Sequence, residues 1–154
     1  MKSTQTCRRR LYSVLIALAI LFAGEILYAQ DAPVTIQLLN GKDGKPFAKH
    51  RLVVFIGATA LDAKVHKGNI VVTTDEAGIA TLSGIAGDTH WIQVLPDWLT
   101  LCQQEIRPNV YALRDLVEEG ARTCNSCSEL TKDVVPGRLI IFARQMTFSE
   151  KMKR

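Results

Sequence analysis

Val34-Thr35-Ile36-Gln37-Leu38 alternates apolar and polar side chains with the period of two that is typical of a half-buried β-strand. A similar alternation returns at 91–95, and short runs of β-branched and other apolar residues occupy 52–56, 70–74, 79–82 and 139–143. Clusters of Gly, Asp and Asn separate these runs, and strands do not alternate with helices along the chain. We therefore predict an all-β domain, an antiparallel two-layer β-sandwich.

Two glycine-containing segments predict how neighbouring strands connect. The segment 40–46, Asn-Gly-Lys-Asp-Gly-Lys-Pro, ends the first strand in a hairpin-type connection. The segment 75–78, Asp-Glu-Ala-Gly, predicts a tight turn that joins the runs on either side of it as antiparallel neighbours. The run 52–56, Leu-Val-Val-Phe-Ile, lacks polar alternation, which predicts a central strand that is covered on both faces or tightly packed.

One stretch has the spacing of a helix rather than of a strand. Val110, Leu113, Leu116 and Val117 form an apolar stripe at helical spacing. Asn109 can cap the start of this helix, and Gly120 can end it. The sequence therefore predicts one short helical insert, at about 109–120, on the β-scaffold.

The first 29 residues have the three parts of a secretory signal peptide. Lys2 and three arginines form a basic head, 14–24 is an uncharged apolar run, and Ala29 is a small residue for cleavage. Glu25 interrupts the apolar run after about half of the 20 residues that a spanning helix needs. We predict cleavage near Ala29 and a mature β-sandwich domain over 30–154, with an uncleaved anchor as the alternative.

Charge limits the kinds of partner. Four of the 19 basic and one of the 15 acidic residues lie in the predicted leader, which leaves 15 and 14 in the mature domain. This balance provides no field to attract nucleic acid or an anionic membrane. We expect no nucleic-acid partner, membrane contact only through the export signal, and a periplasmic or extracellular location.

Two segments carry a family resemblance. They are Val34-Thr35-Ile36 through Gly44-Lys45-Pro46, and Thr73-Thr74-Asp75-Glu76-Ala77-Gly78-Ile79-Ala80. The sequence of these segments resembles carboxypeptidase regulatory-like and Cna-B-type domains of secreted bacterial proteins, and the resemblance extends over roughly residues 33–95. The resemblance implies a transthyretin-like or immunoglobulin-like β-sandwich. It also implies a non-catalytic role in structure, in adhesion or in interaction with a protein or glycan partner.

Three cysteines, Cys102, Cys124 and Cys127, follow the predicted leader. In an oxidising compartment a structural disulfide is the default, and three thiols permit one at a time within the monomer. We predict Cys102–Cys127, with Cys124 as the alternative partner; closing this loop removes about 3–4 kcal/mol of unfolded-state freedom. Cys124 and Cys127 also form a Cys-x-x-Cys motif, so thiol-redox activity is an alternative, although no βαβ unit precedes the motif.

Other residues that carry chemistry lack the sequence context of an enzyme. His66 or His90 could complete a zinc site with the three thiolates, but no matching second Cys-x-x-Cys pair is present. Trp91 is expected in the core, whereas Trp98 follows Pro-Asp in a turn, where an indole can stack on a sugar. No Gly-x-Ser-x-Gly elbow occurs. We expect a non-catalytic exported module without a cofactor; metal binding and carbohydrate binding are the alternatives.

Overall fold

Nine strands and three short helices occur in the part of the chain that the computed structural model describes, residues 33–85, 87–103 and 109–153. The strands are β1 Val34–Asn40, β2 Arg51–Gly57, β3 Gly68–Thr73, β4 Ile79–Leu82, β5 Trp91–Pro96, β6 Leu99–Leu101, β7 Val110–Ala112, β8 Ala121–Arg122 and β9 Arg138–Gln145. The helices are α1 Ala60–Lys64, α2 Leu113–Glu118 and α3 Phe148–Met152. The predicted leader, 1–29, lies outside the described residues.

The strands form two sheets around one apolar core. The first sheet has the order β4-β1-β9-β6, with β8 also paired to β9, and the second has the order β3-β2-β5-β7. The core is built from both sheets: Ile36 of β1 and Ile141 of β9 share one buried cluster with Leu52 of β2 and Ile92 of β5. This mostly β arrangement of two sheets fits the predicted β-sandwich. No helix among the described residues is long and apolar enough to cross a membrane.

The expectation of an antiparallel sandwich is wrong for two strand pairs. β9 runs parallel to β1 and to β8, whereas the other pairs are antiparallel. A parallel pair needs a long connection, and most of the domain lies between β1 and β9. The N–H of Thr35 donates to the carbonyl of Gly137 at 2.8 Å, which aligns the start of β9 beside β1.

β9 is the strand that is buried on both faces. Its five consecutive residues Leu139–Ala143 are each at most 2% exposed. Leu139, Ile141 and Ala143 belong to the core between the sheets, whereas Ile140 and Phe142 belong to a second cluster on the outer face of the first sheet. Burial on both faces was expected for 52–56 instead. There Leu52 and Val54 are buried, but the alternate residues of β2 are only half-buried.

The segment 75–78 does not form the predicted hairpin, because the strands on either side of it lie in different sheets. β3 pairs with β2, and β4 pairs with β1. Asp75 Oδ1 accepts the N–H groups of Ala77 and Ile79, and Gly78 has φ +73°, so the turn itself is tight as expected. The segment 40–46 likewise closes only a Leu39–Pro46 bridge before the chain passes to the second sheet. Turn residues determine the local reversal, but the pairing of the next strand depends on distant residues.

The predicted helix at 109–120 is shorter than expected. Val110–Ala112 is strand β7, paired with β5, and the helix begins only at Leu113. Asn109 therefore precedes a strand and caps no helix. Gly120, with φ +74°, follows the helix as predicted, and its N–H donates to the carbonyl of Leu116 at 3.0 Å.

Two further helices were missed by the sequence analysis. Thr59 with Asp62 caps α1, and Thr147 with Glu150 caps α3, in each case as a reciprocal capping box. Each helix has only five residues, so neither shows an apolar stripe.

We predict that Ile141→Ala lowers the free energy of unfolding by about 2–5 kcal/mol, because the cavity opens in the core between the two sheets. Val135→Ala is the matched control: Val135 is 41% exposed, and its loss should cost less than about 0.5 kcal/mol. Urea denaturation measures both. Equal costs for the two variants would contradict the central position of β9.

Candidate functional site

A disulfide closes a small apolar cluster on the outer face of the first sheet. Cys102 and Cys127 are bonded, with their Cα atoms 5.3 Å apart, which fits the pairing expected from the sequence. Cys102 is 1% exposed and packs with Leu39, Ile140 and Phe142, and Cys127 and Leu130 pack against this cluster. We call residues 123–130, which cross the outer face of the sheet, the disulfide loop. Without this loop the cluster would face water.

Polar side chains of the disulfide loop fasten it to the sheet. The Asn125 amide donates to the carbonyl of Gly41 (2.8 Å), next to β1, and the Ser128 hydroxyl donates to the same carbonyl (2.6 Å). Within the loop the Asn125 amide also donates to the carbonyl of Leu130 (3.0 Å). The Ser126 hydroxyl donates to the carbonyl of Cys102 at 2.9 Å. Asn125 and Ser126 are the two residues between the cysteines of the Cys-x-x-Cys motif. Both side chains have hydrogen-bond partners in the fold, and neither was assigned a role from the sequence.

Gly41 marks the closest approach of the loop to β1. A Cβ atom built on Gly41 would lie 2.5 Å from Cys102 Sγ and 2.6 Å from Asn125 Oδ1. Both distances are shorter than a side chain tolerates, so glycine is required for the disulfide and the Asn125 amide to reach the sheet.

Cys124 is exposed and has a free thiol, so the motif does not hold a Cys124–Cys127 pair. The pKa of Tyr111 in β7 depends in part on this cysteine. Burial raises the pKa of Tyr111 to about 12, and the negative charge of a Cys124 thiolate adds to the shift. A redox cycle on the motif would require Cys127 to leave Cys102 and thereby release the disulfide loop.

The two histidines considered as zinc ligands, His66 and His90, have surroundings of their own rather than forming a metal site with the cysteines. His66 stacks on Phe55 with ring centroids 3.7 Å apart, and its Nε2 lies 3.1 Å from Gln93 Oε1. His90 is exposed. Within the ranges that the structure describes, no three His, Cys, Asp or Glu side chains come together as metal ligands. The zinc site weighed above is therefore not assembled by these residues.

A concavity of about 1240 Å³ lies beside the disulfide. Cys102 and Cys127 line it together with residues of β6, β9 and β5, and the connection 104–108 between two lining residues lies outside the described part of the chain. Lys42 and Lys64 also line it; both are exposed, and neither has an ion pair with a described residue. We call this feature the disulfide concavity.

The other two charged residues among the described lining of the disulfide concavity, Arg144 and Glu150, form an ion pair. Arg144 donates from both terminal nitrogens to the two carboxylate oxygens of Glu150, at 2.7 and 2.9 Å. These bonds, with smaller contributions from the N–H and hydroxyl of Thr147, lower the pKa of Glu150 from its usual value near 4.5 to about 2. Glu150 is therefore ionised at neutral pH and cannot donate a proton as a general acid there. Among the described lining residues, Lys42 and Lys64 are the charges that this ion pair does not balance.

Trp98 lies in the link between the two sheets, just before the lining residue Leu99. Its backbone has φ +55°, uncommon for a large side chain, and the residue is 56% exposed. Asp97 is held beside it: its N–H donates to the carbonyl of Arg51 at 3.0 Å, and its carbonyl accepts from His50 Nε2 at 2.5 Å. Trp91, which was expected in the core, is instead half-buried in β5.

Comparison of the chain with protein-family models, with curated proteins and with solved structures found no match.

The residues that sequence reasoning missed are Lys42, Lys64, Arg144 and Glu150, together with the fastening residues of the disulfide loop. The charged residues come from separate elements, so no spacing along the chain connects them. A local signal existed for part of the loop, since Asn side chains commonly bond to nearby backbone groups, as Asn125 does with Cys127 and Leu130. The bonds from Asn125 and Ser128 to Gly41 join residues distant in the chain, so no local pattern predicts them.

We predict that the double variant Cys102→Ala, Cys127→Ala loses about 2–5 kcal/mol of unfolding free energy, because the outer cluster is no longer closed and the unfolded chain is no longer constrained. Cys124→Ala, at an exposed free thiol, is the control and should change stability by less than about 0.5 kcal/mol. Thermal and urea unfolding report both values. If Cys124→Ala were the more destabilised of the two, the structural role of the Cys102–Cys127 bond would be wrong.

We also predict a pH-dependent contribution from Glu150. Its pKa in the folded protein is lowered, so its stabilising effect is complete above the usual value near 4.5 and disappears as the pH falls towards about 2. Glu150→Gln should therefore melt below the parent at pH 7, and the difference should shrink between pH 4.5 and 2. Glu129→Gln, at an exposed carboxylate outside the ion pairs, is the control. A difference in melting temperature that stays constant across this range would contradict the Arg144–Glu150 assignment.

Proposed function

We propose that this chain is an exported, non-catalytic binding module with a transthyretin-like or immunoglobulin-like β-sandwich fold. Its ligand is an anionic group carried by a glycan or a protein, which binds in the disulfide concavity. The observation that carries the proposal is that Lys42 and Lys64 both line that concavity and that neither has an ion pair with a described residue.

Electrostatics supports an anionic ligand. The predicted mature domain is nearly neutral as a whole, so the positive charge of the disulfide concavity is local. The Arg144 guanidinium is already bonded to Glu150 through both oxygens, which leaves the two lysines to meet a ligand carboxylate or sulfate.

The disulfide supports a binding rather than a catalytic role. It holds part of the concavity wall in place, which lowers the ordering cost that a ligand would otherwise meet. The lining carboxylate Glu150 is ionised and ion-paired, and the adjacent Cys-x-x-Cys residues Asn125 and Ser126 have structural hydrogen bonds.

A second candidate function, binding of a neutral sugar, is favoured by Trp98. An exposed indole in an uncommon backbone conformation is a feature that binding surfaces use, and aromatic faces stack on sugars. The two candidate functions differ in the ligand that should bind, acidic or neutral, and in the residues that binding should require, the two lysines or Trp98.

The binding test uses oligogalacturonate as the acidic probe and a neutral cello-oligosaccharide as the comparison, with affinity measured by calorimetry. We expect the acidic probe to bind, and the double variant Lys42→Ala, Lys64→Ala to bind it at least tenfold more weakly, because two ammonium partners are lost. Lys132→Ala, at an exposed lysine outside the concavity, should stay within twofold of the parent.

Two results would overturn the proposed site: no binding of the acidic probe at low salt, or equal affinities of the double variant and the parent. Binding of the neutral probe that is lost in Trp98→Ala would support the second candidate instead. Export is tested separately, by fractionation of cells that express the whole chain. The mature protein should begin near residue 30, as read by N-terminal sequencing.

A further inference from the structure

Strand β3 is an unusually open sheet edge. It ends the second sheet, and its residues Gly68–Thr73 include no charge and no proline. The other strands that end the two sheets, β4, β6 and β7, have only four, three and three residues. Proteins commonly protect an edge by shortening it or by placing charges or proline in it. β3 has none of these protections, and no strand in the described part of the chain pairs with its outer side, so we treat this edge as available for pairing.

The direction of the free backbone groups follows from the neighbouring hydrogen bonds. The carbonyls of Arg51 and Gly57 accept from Asp97 and His90, so the odd-numbered residues of β2 bond towards β5. The even-numbered residues of β2 therefore bond to β3, where Leu52 and Val54 lie opposite Val72 and Ile70. It follows that the N–H and C=O groups of Asn69, Val71 and Thr73 point to the open side of β3, where the described residues provide no strand.

The side chains of β3 are self-complementary about Val71. In an antiparallel pair centred on this residue, Val71 meets Val71 of a second copy, and Asn69 meets Thr73 of that copy. In this register all three residues with free backbone groups become hydrogen-bonded pairs. Val71 is 48% exposed, and pairing covers its apolar side chain with an identical β-branched one.

Charges at the two ends of β3 also favour antiparallel pairing of β3 with the same strand of a second copy. The antiparallel register places Lys67 opposite Asp75 of the second copy, whereas parallel pairing would place like charges side by side. Within the chain Lys67 also pairs with the half-buried carboxylate of Asp62, but the Lys67 side chain is itself 69% exposed, so its ammonium group can meet a second carboxylate. Charge complementarity therefore identifies a second copy of this chain as the occupant of the edge.

We propose that two copies of this protein pair edge to edge through β3, antiparallel about a twofold axis at Val71, and join their second sheets into one eight-stranded sheet. The contact is confined to one strand, so the dimer is weak and depends on concentration. This pairing uses no residue of the disulfide concavity and does not depend on the function proposed above.

Sedimentation velocity of the purified protein over a range of concentrations tests the pairing. The parent should shift from monomer to dimer as concentration rises. Val71→Lys places two ammonium groups against each other at the axis and should remain monomeric. Val135→Lys is the matched control, because Val135 has a similar exposure, 41%, outside β3; it should dimerise as the parent does.

Cross-linking tests the register independently of the lysine variant. In a Cys124→Ala background, Val71→Cys should form a disulfide-linked dimer under mild oxidation, since directly opposed residues have Cα atoms about 5.5 Å apart. Val135→Cys in the same background should stay largely monomeric. The proposal is overturned if the parent is monomeric at every concentration. It also fails if Val71→Lys associates like the parent, or if both cysteine variants cross-link equally.

Discussion

Burial of β9 on both faces is the constraint on which the rest of the structure depends. Residues 139–143 contribute alternate side chains to the core between the sheets and to the outer cluster beneath the disulfide loop. A strand with no water-facing side needs neighbours along both edges and cover on both faces. β1, β6 and β8 supply the edges, the second sheet covers one face, and the disulfide loop covers the other.

The disulfide loop, which covers the outer face of β9, is much smaller than the second sheet, which covers the inner face. This difference explains why the loop is cross-linked. Four buried residues form the outer cluster among the described residues, too few to hold an eight-residue loop by apolar contact alone. The Cys102–Cys127 bond and the side chains of Asn125 and Ser128 supply the remaining restraint, and Gly41 provides the space for it. The same restraint holds part of the wall of the disulfide concavity, so the stability of the fold and the shape of the proposed site share one cause.

Charge in this domain acts locally rather than over long range. The predicted mature domain is nearly neutral, which removes a general attraction for polyanions. Lys42, just after β1, and Lys64, at the end of α1, nevertheless line one concavity with the ion pair Arg144–Glu150. At β3 the reverse holds: the absence of charge within the strand opens an edge, and the charges beside it determine the orientation of a partner strand. Both proposed surfaces depend on where a few charges lie, not on the net charge.

The sequence by itself determined the β character of the domain, because alternation with a period of two and β-branched runs are local properties. All six predicted strands are present. It also predicted a disulfide at Cys102, with Cys127 as the expected partner and Cys124 as the alternative, and the Cys102–Cys127 bond fits that expectation. Three features depended on tertiary structure: the separation of β3 and β4 into different sheets, the parallel pairing of β1 with β9, and the assembly of Lys42, Lys64, Arg144 and Glu150 at one concavity. Local turn chemistry is the same for a hairpin and for a crossing between sheets. Only contacts between residues distant in the chain decide which strand becomes the neighbour, and with it which side chains meet.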